Sequence, residues 1–120
     1  MTSRHSTEST GAAAEAAAAE YLQHQGLTVI ARNFRVRGGE IDLICRDPSQ
    51  TIVFVEVRLR QRADFGGAAA SITAAKQRRL VLAARHWLQQ QRCDDAPCRF
   101  DCVLIDGGRL EWLRDAFTAD

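Results

Sequence analysis

Two spacings of apolar residues follow one another along this chain. Ala18, Ala19 and Leu22 recur at helical spacing inside an alanine-rich run, and alanine is the strongest helix former. The pattern predicts a helix from about Gly11 to Gln25, capped by Ser9 or Thr10 and stopped at Gly26. Before it, residues 1–9 are rich in Ser and Thr and are expected to be a mobile tail. The apolar spacing then changes. Leu27, Val29, Ile30 and Phe34 mark a strand over 27–37, followed by a Gly38-Gly39 turn. Strands are expected over Glu40–Arg46 and Thr51–Arg60, with turn chemistry between them at Asp47-Pro48-Ser49-Gln50.

After Phe65-Gly66-Gly67, which begins a flexible connection, the helical period returns. Leu80, Ala83, Ala84, Trp87 and Leu88 make the apolar stripe of a helix from about Thr73 to Gln91. Arg99–Ile105 reads as a fourth strand, Asp106-Gly107-Gly108-Arg109 as a hairpin turn, and Leu110–Leu113 as a short fifth strand. The order α-β-β-β-α-β-β predicts a sheet flanked by helices, α/β or α+β, in one domain spanning 10–120.

Composition narrows the class without changing this picture. The 120 residues are 46% hydrophobic and 26% charged, ordinary for a globular domain. No apolar run approaches the ~18 residues of a membrane span, and Met1–Thr10 is polar. A cytoplasmic protein with no membrane association is expected. The four cysteines, Cys45, Cys93, Cys98 and Cys102, match no zinc spacing and are expected to be free thiols.

A net charge of +1 conceals an uneven distribution. Arg32, Arg35, Arg37, Arg46, Arg58, Arg60 and Arg62 crowd the first half of the sheet, and Lys76, Arg78, Arg79 and Arg85 follow on the second helix. Acids gather at the end, from Asp101 to Asp120. Such a face suits either a polyanion or plain solvation.

The candidate chemistry lies on the second and third strands. A hairpin centred near Ser49 sets Asp42 opposite Glu56 and Glu40 opposite Arg58, and alternation places all four on one face. Ile41, Leu43, Val53, Val55 and Val57 then fall on the other face, in the core. Opposed carboxylates repel. Either Arg58 compensates them in a salt-bridged surface, or a divalent cation does, and hard oxygen ligands suit Mg²⁺ or Mn²⁺. Glu15 sits within the apolar stripe of the first helix and should face the sheet, where a lone carboxylate is costly. Glu20 falls on another helix face and is expected in solvent.

The runs Gly39-Glu40-Ile41-Asp42-Leu43-Ile44 and Phe54-Val55-Glu56-Val57-Arg58 resemble the YraN-like bacterial family, uncharacterised protein family 0102. Ala14-Glu15, Ala31-Arg32-Asn33-Phe34-Arg35, Lys76-Gln77-Arg78-Arg79-Leu80, Arg99-Phe100-Asp101 and Leu113-Arg114-Asp115-Ala116-Phe117 extend the resemblance over residues 11–117. That family is similar to the restriction-endonuclease-like superfamily and to archaeal Holliday-junction resolvases. The resemblance implies an α/β restriction-endonuclease-like core and a metal-dependent nuclease acting on DNA, with junctions or branched DNA as the structures it would select. It implies Asp42, Glu56, the Val57 carbonyl and Glu15 as metal ligands, with Mg²⁺ or Mn²⁺ as cofactor. Arg32, Arg35, Arg37, Arg60, Arg62, Lys76, Gln77, Arg78 and Arg79 become candidate nucleic-acid contacts, and resolvase-like relatives imply a homodimer. Arg58 stands where that superfamily carries a catalytic lysine. A guanidinium cannot act as a base, but beside the scissile phosphate it could still stabilise charge on the phosphorane as it forms, which keeps Arg58 with Asp42, Glu56 and Glu15 among the catalytic candidates. This departure leaves a second reading, a nucleic-acid-binding module of the same fold with weakened or lost turnover.

Overall fold

A computed structural model describes residues 6–59 and 72–119. The elements are α1 (Ser6–His24), β1 (Thr28–Val36), β2 (Gly39–Arg46), β3 (Ile52–Leu59), α2 (Ala74–Gln90), β4 (Cys98–Asp106) and β5 (Arg109–Phe117). The strands form one mixed sheet in the order β1-β2-β3-β4-β5. β3 and β4 run parallel, and the other neighbours are antiparallel. A parallel pair needs a crossover, and α2 provides it. The expected connection at Phe65-Gly66-Gly67, with Arg60 and Arg62, lies outside the described residues.

The helices cover opposite faces of the sheet. On one side Ala18, Ala19 and Leu22 of α1 pack on Leu43, Cys45, Val53, Val55 and Val103. On the other, the α2 stripe of Leu80, Ala83, Ala84, Trp87 and Leu88 packs on Ile44, Phe54, Phe100 and Leu104. Trp87 is core: its ring meets Phe54 edge-on at 6.0 Å. The alternation along β3 is therefore used on both faces, which explains its nearly continuous apolar run. The result is the layered α/β architecture of a restriction-endonuclease-like core.

α1 ends as its sequence predicts. Gly26 takes φ 99, Leu27 N–H donates to Leu22 O and Gly26 N–H to Gln23 O. This paired closure needs a left-handed residue after the helix, and it brings Leu27 back onto Leu22 in the core. Thr73 caps α2, its hydroxyl accepting from Lys76 N–H at 3.2 Å.

Three expectations are corrected. α1 begins at Ser6, so the proposed tail is helical from that residue and the cap is not Ser9 or Thr10. Ser and Thr cost only a few tenths of a kcal/mol each in a helix, less than about 0.7, and the alanine run carries the helix through them. β5 runs to Phe117 rather than Leu113. Its register against β4 shifts between Phe100 and Cys102, and Asp115 takes φ 54, which interrupts the alternation that marks a strand. Finally, Ile41 packs with Ile44 on the α2 side rather than with Leu43 on the α1 side. Opposite Asp42, Asn33 adopts φ 52, and the phase of alternation changes there.

The β1–β2 turn lies against α2. A Cβ on Gly39 would sit 2.5 Å from the backbone oxygen of Arg79 and 3.2 Å from Ala83 N. Only glycine permits that approach. Among the described residues, no helix is long and apolar enough to cross a membrane.

Candidate active site

The β2–β3 hairpin has the predicted register. Leu43 pairs with Val55, Ile44 with Phe54, Cys45 with Val53 and Arg46 with Ile52. The ladder does not continue to Asp42 and Glu56. Instead the Asp42 carboxylate enters between the strands and Oδ2 accepts from Val57 N–H at 2.8 Å. A side chain thus replaces a ladder hydrogen bond, and the two strands part at this point.

Charges from both faces reach the gap. Burial pushes the Asp42 carboxyl up to about 7, against the Val57 N–H that favours its anion, and nearby Glu56, Glu15 and Glu40 add to the rise. Burial also raises Glu56, opposed first by Lys76 and then by Arg58, and by a hydrogen bond with Asp42. Glu15 comes from α1 and Lys76 from α2, on opposite sides of the sheet. Lys76 Nζ lies 3.7 Å from Glu56 Oε2.

The predicted residues do not all converge. Asp42 and Glu56 meet, and Glu15 is half-buried within electrostatic reach. Lys76 turns to Glu56. Arg58 is partly buried, and its Nη1 has no hydrogen-bond partner among the described residues. The expected opposition of Glu40 and Arg58 gives way to a pair between Glu40 and Arg35 at 3.9 Å, across β1–β2. Gln77 spends its amide on the Ile72 carbonyl at 3.1 Å, which fixes the approach to α2.

The exposed arginines do not share one face. Arg32 acts on buried Cys45 from the α1 side. Arg35 and Arg37 flank the β1–β2 turn, and Arg78 and Arg79 lie on α2, whose packing joins it to that turn. Arg78 also borders an open groove of about 470 Å³ with Leu82, Arg85 and Thr118, apart from the carboxylates. No disulfide joins cysteines among the described residues, and Cys45 and Cys102 are buried. Burial pushes the Cys45 thiol up to about 12, so it is no nucleophile.

Two half-buried carboxylates and the carbonyl of Val57 are oxygen donors of the kind that could hold a hard cation. Glu15 does not close the shell, since no three His, Cys, Asp or Glu side chains gather around one point among the described residues. Sequence reasoning set Glu40 on the face of Asp42 but opposite Arg58; the structure adds its charge to the acidic cluster around Asp42.

Residues 14–105 match the profile of uncharacterised protein family UPF0102. A UPF0102 protein of Dechloromonas aromatica (strain RCB) is 61% identical over 114 residues, covering 95% of this chain and 92% of the relative. One from Ralstonia pickettii (strain 12J) is 55% identical, covering 95% and 94%. One from Methylobacillus flagellatus is 58% identical, covering 88% and 94%. This chain belongs to the UPF0102 family.

Proposed function

We propose that this protein is a metal-dependent nuclease that hydrolyses DNA phosphodiester bonds. The observation that carries the reading is the parting of β2 and β3 at Asp42. Two half-buried carboxylates are held there, both raised by burial, and Asp42 is raised further by its acidic neighbours. A structural ion pair would place a cation against each acid. Here Lys76 meets Glu56 and Arg35 meets Glu40, but the charges that act on Asp42 itself come from Glu56, Glu15 and Glu40, all acidic.

Asp42, Glu56 and the Val57 carbonyl would hold Mg²⁺ or Mn²⁺, with Glu15 behind them. When bound, the cation supplies Lewis acidity, which lowers the pKa of water and offsets charge on the phosphate. The Val57 N–H fixes Asp42, so that carboxylate is oriented before any ligand arrives. Arg58 offers an enclosed guanidinium nitrogen with an unused donor, which suits a phosphate oxygen. Arg35, Arg37, Arg78 and Arg79 would contact the DNA backbone, adding affinity and salt dependence without sequence choice.

The test is cleavage of labelled four-way junction, flap and duplex DNA with Mg²⁺ or Mn²⁺. Metal-dependent cutting is expected to fall about a thousandfold or more in Asp42→Ala and Glu56→Ala, as for other groups that act together in catalysis. Salt-sensitive binding without cutting would favour the non-hydrolytic module that Arg58 suggests. Neither cutting nor binding would sink the nucleic-acid reading.

A further inference from the structure

Two cations flank Glu56, and they are placed very differently. Arg58 follows it on β3, partly buried. Lys76 reaches it from the first turn of α2, with 46% of its side chain exposed against 12% for Glu56. Its ammonium is thus at the mouth of the gap, touching the carboxylate on one side and solvent on the other. The position is locally unfavourable. A cation in the first turn opposes the helix dipole, typically by about 0.3–1 kcal/mol, and that turn contains no acid to offset it. The choice of residue is also singular: among 16 basic residues, Lys76 is the chain's only lysine. A flexible ammonium stem and a planar guanidinium are not interchangeable.

We propose that Lys76 is the catalytic cation of this site, reaching the reacting phosphate from α2 in place of a lysine at position 58. The inference rests on the hydrolytic reading above. In the step, a water oxygen bonds to phosphorus and the bond from phosphorus to a deoxyribose oxygen breaks. The electron pair leaves with that sugar oxygen, which takes a proton from solvent, while the attacking water releases one to solvent. Lys76 acts as a charge, without giving or taking a proton. It hydrogen-bonds a non-bridging oxygen as negative charge builds there. Its contact with Glu56 holds the ammonium at the gap before DNA binds.

The experiment compares wild type, Lys76→Gln, Lys76→Arg and Arg58→Lys on the DNA that wild type cuts best. It reads kcat at saturating DNA with Mg²⁺, DNA affinity against salt with Ca²⁺ instead, and Tm. Lys76→Gln is expected to lower kcat by about a hundredfold or more, the size of other electrostatic stabilisers. It should leave DNA affinity within about threefold and the salt slope changed by no more than about one contact. Lys76→Arg should recover at least tenfold of that loss, by restoring charge at the same point. Unchanged kcat with weakened DNA binding would reduce Lys76 to a backbone contact and overturn the proposal. So would a collapse of Tm in Lys76→Gln that Lys76→Arg does not repair, because Lys76 would then be structural. A gain of a hundredfold or more in Arg58→Lys would return the role to position 58. Failure of wild type to cut any DNA would overturn the hydrolytic reading itself, a result distinct from a wild type that cuts and a Lys76→Gln that cuts equally.

Discussion

The two ends of β2 carry the same chemical group in opposite circumstances. Past one end, Asp47 accepts from Ser49 N–H at 2.9 Å, Ser49 Oγ at 2.8 Å and Thr51 N–H at 2.9 Å. Its other oxygen accepts from Arg99 Nη1 at 3.0 Å. Arg99 Nε also donates to buried Asp101 at 3.0 Å, and Asp101 further accepts from Trp112 Nε1 at 2.9 Å and Asp115 N–H at 2.8 Å. Burial opposes ionisation of Asp47, yet these hydrogen bonds hold its carboxyl below the usual range. Towards the other end, Asp42 has a single backbone donor and three acidic neighbours, and it rises to about 7. The difference separates scaffold from site. The first cluster supplies donors from within the chain to both oxygens of Asp47 and of Asp101, though Arg99 Nη2 is left without a hydrogen-bond partner among the described residues, and it ties the β2–β3 turn to β4 and β5. The second keeps like charges together at Asp42, which Lys76 and Arg58 offset from the Glu56 side, and such local inconsistency is characteristic of functional positions.

The comparison can be broken by substitution. Asp101→Ala would strand Arg99, the Trp112 indole and the Asp115 N–H, so it is expected to cost about 3–5 kcal/mol; urea denaturation reads it. A cost below about 1 kcal/mol would mean that the network is not what holds β5. Asp42→Asn should do the reverse above neutrality. Between the unfolded value of 3.8 and the folded value of about 7, the native state binds more protons at Asp42. Native stability therefore falls as pH rises through that window. Asparagine removes this fall, so Tm at pH 8 should rise by several degrees, on the order of 2 kcal/mol, with a much smaller gain at pH 4. An equal gain at both pH values would show that charge is not the cause. The smallest effect belongs to Arg35→Ala, whose pair with Glu40 is exposed by 74% and 51%. Its stability should stay within about 0.5 kcal/mol of wild type. A larger loss would place Arg35 inside the charge cluster rather than at its rim.

Much of this architecture was legible. Alternation and turn residues located β1 to β4. The α2 stripe named the residues that are buried on that helix. The hairpin arithmetic centred on Ser49 gave the observed β2–β3 register and so set Asp42 beside Glu56. What escaped were places where one backbone torsion overrides the period. Asp115, with positive φ, hid the second half of β5, and the change of face at Ile41 falls beside Asn33 of the neighbouring strand, also at positive φ. The entry of Asp42 between the strands was equally invisible, because pairing rules assume that the ladder continues. The buried network had one signal, the alternate polar positions Arg99 and Asp101 in an otherwise apolar strand.

The contact at Gly39 has a mechanical consequence. With the tip of the β1–β2 hairpin pressed onto the Arg79–Ala83 backbone, strand and helix have no room to slide past each other. A load applied to the arginines of α2 is transmitted directly to the strand that bears Asp42. The hairpin tip and the middle of the helix therefore behave as one lever, and their amide protons should exchange as a single cooperative unit.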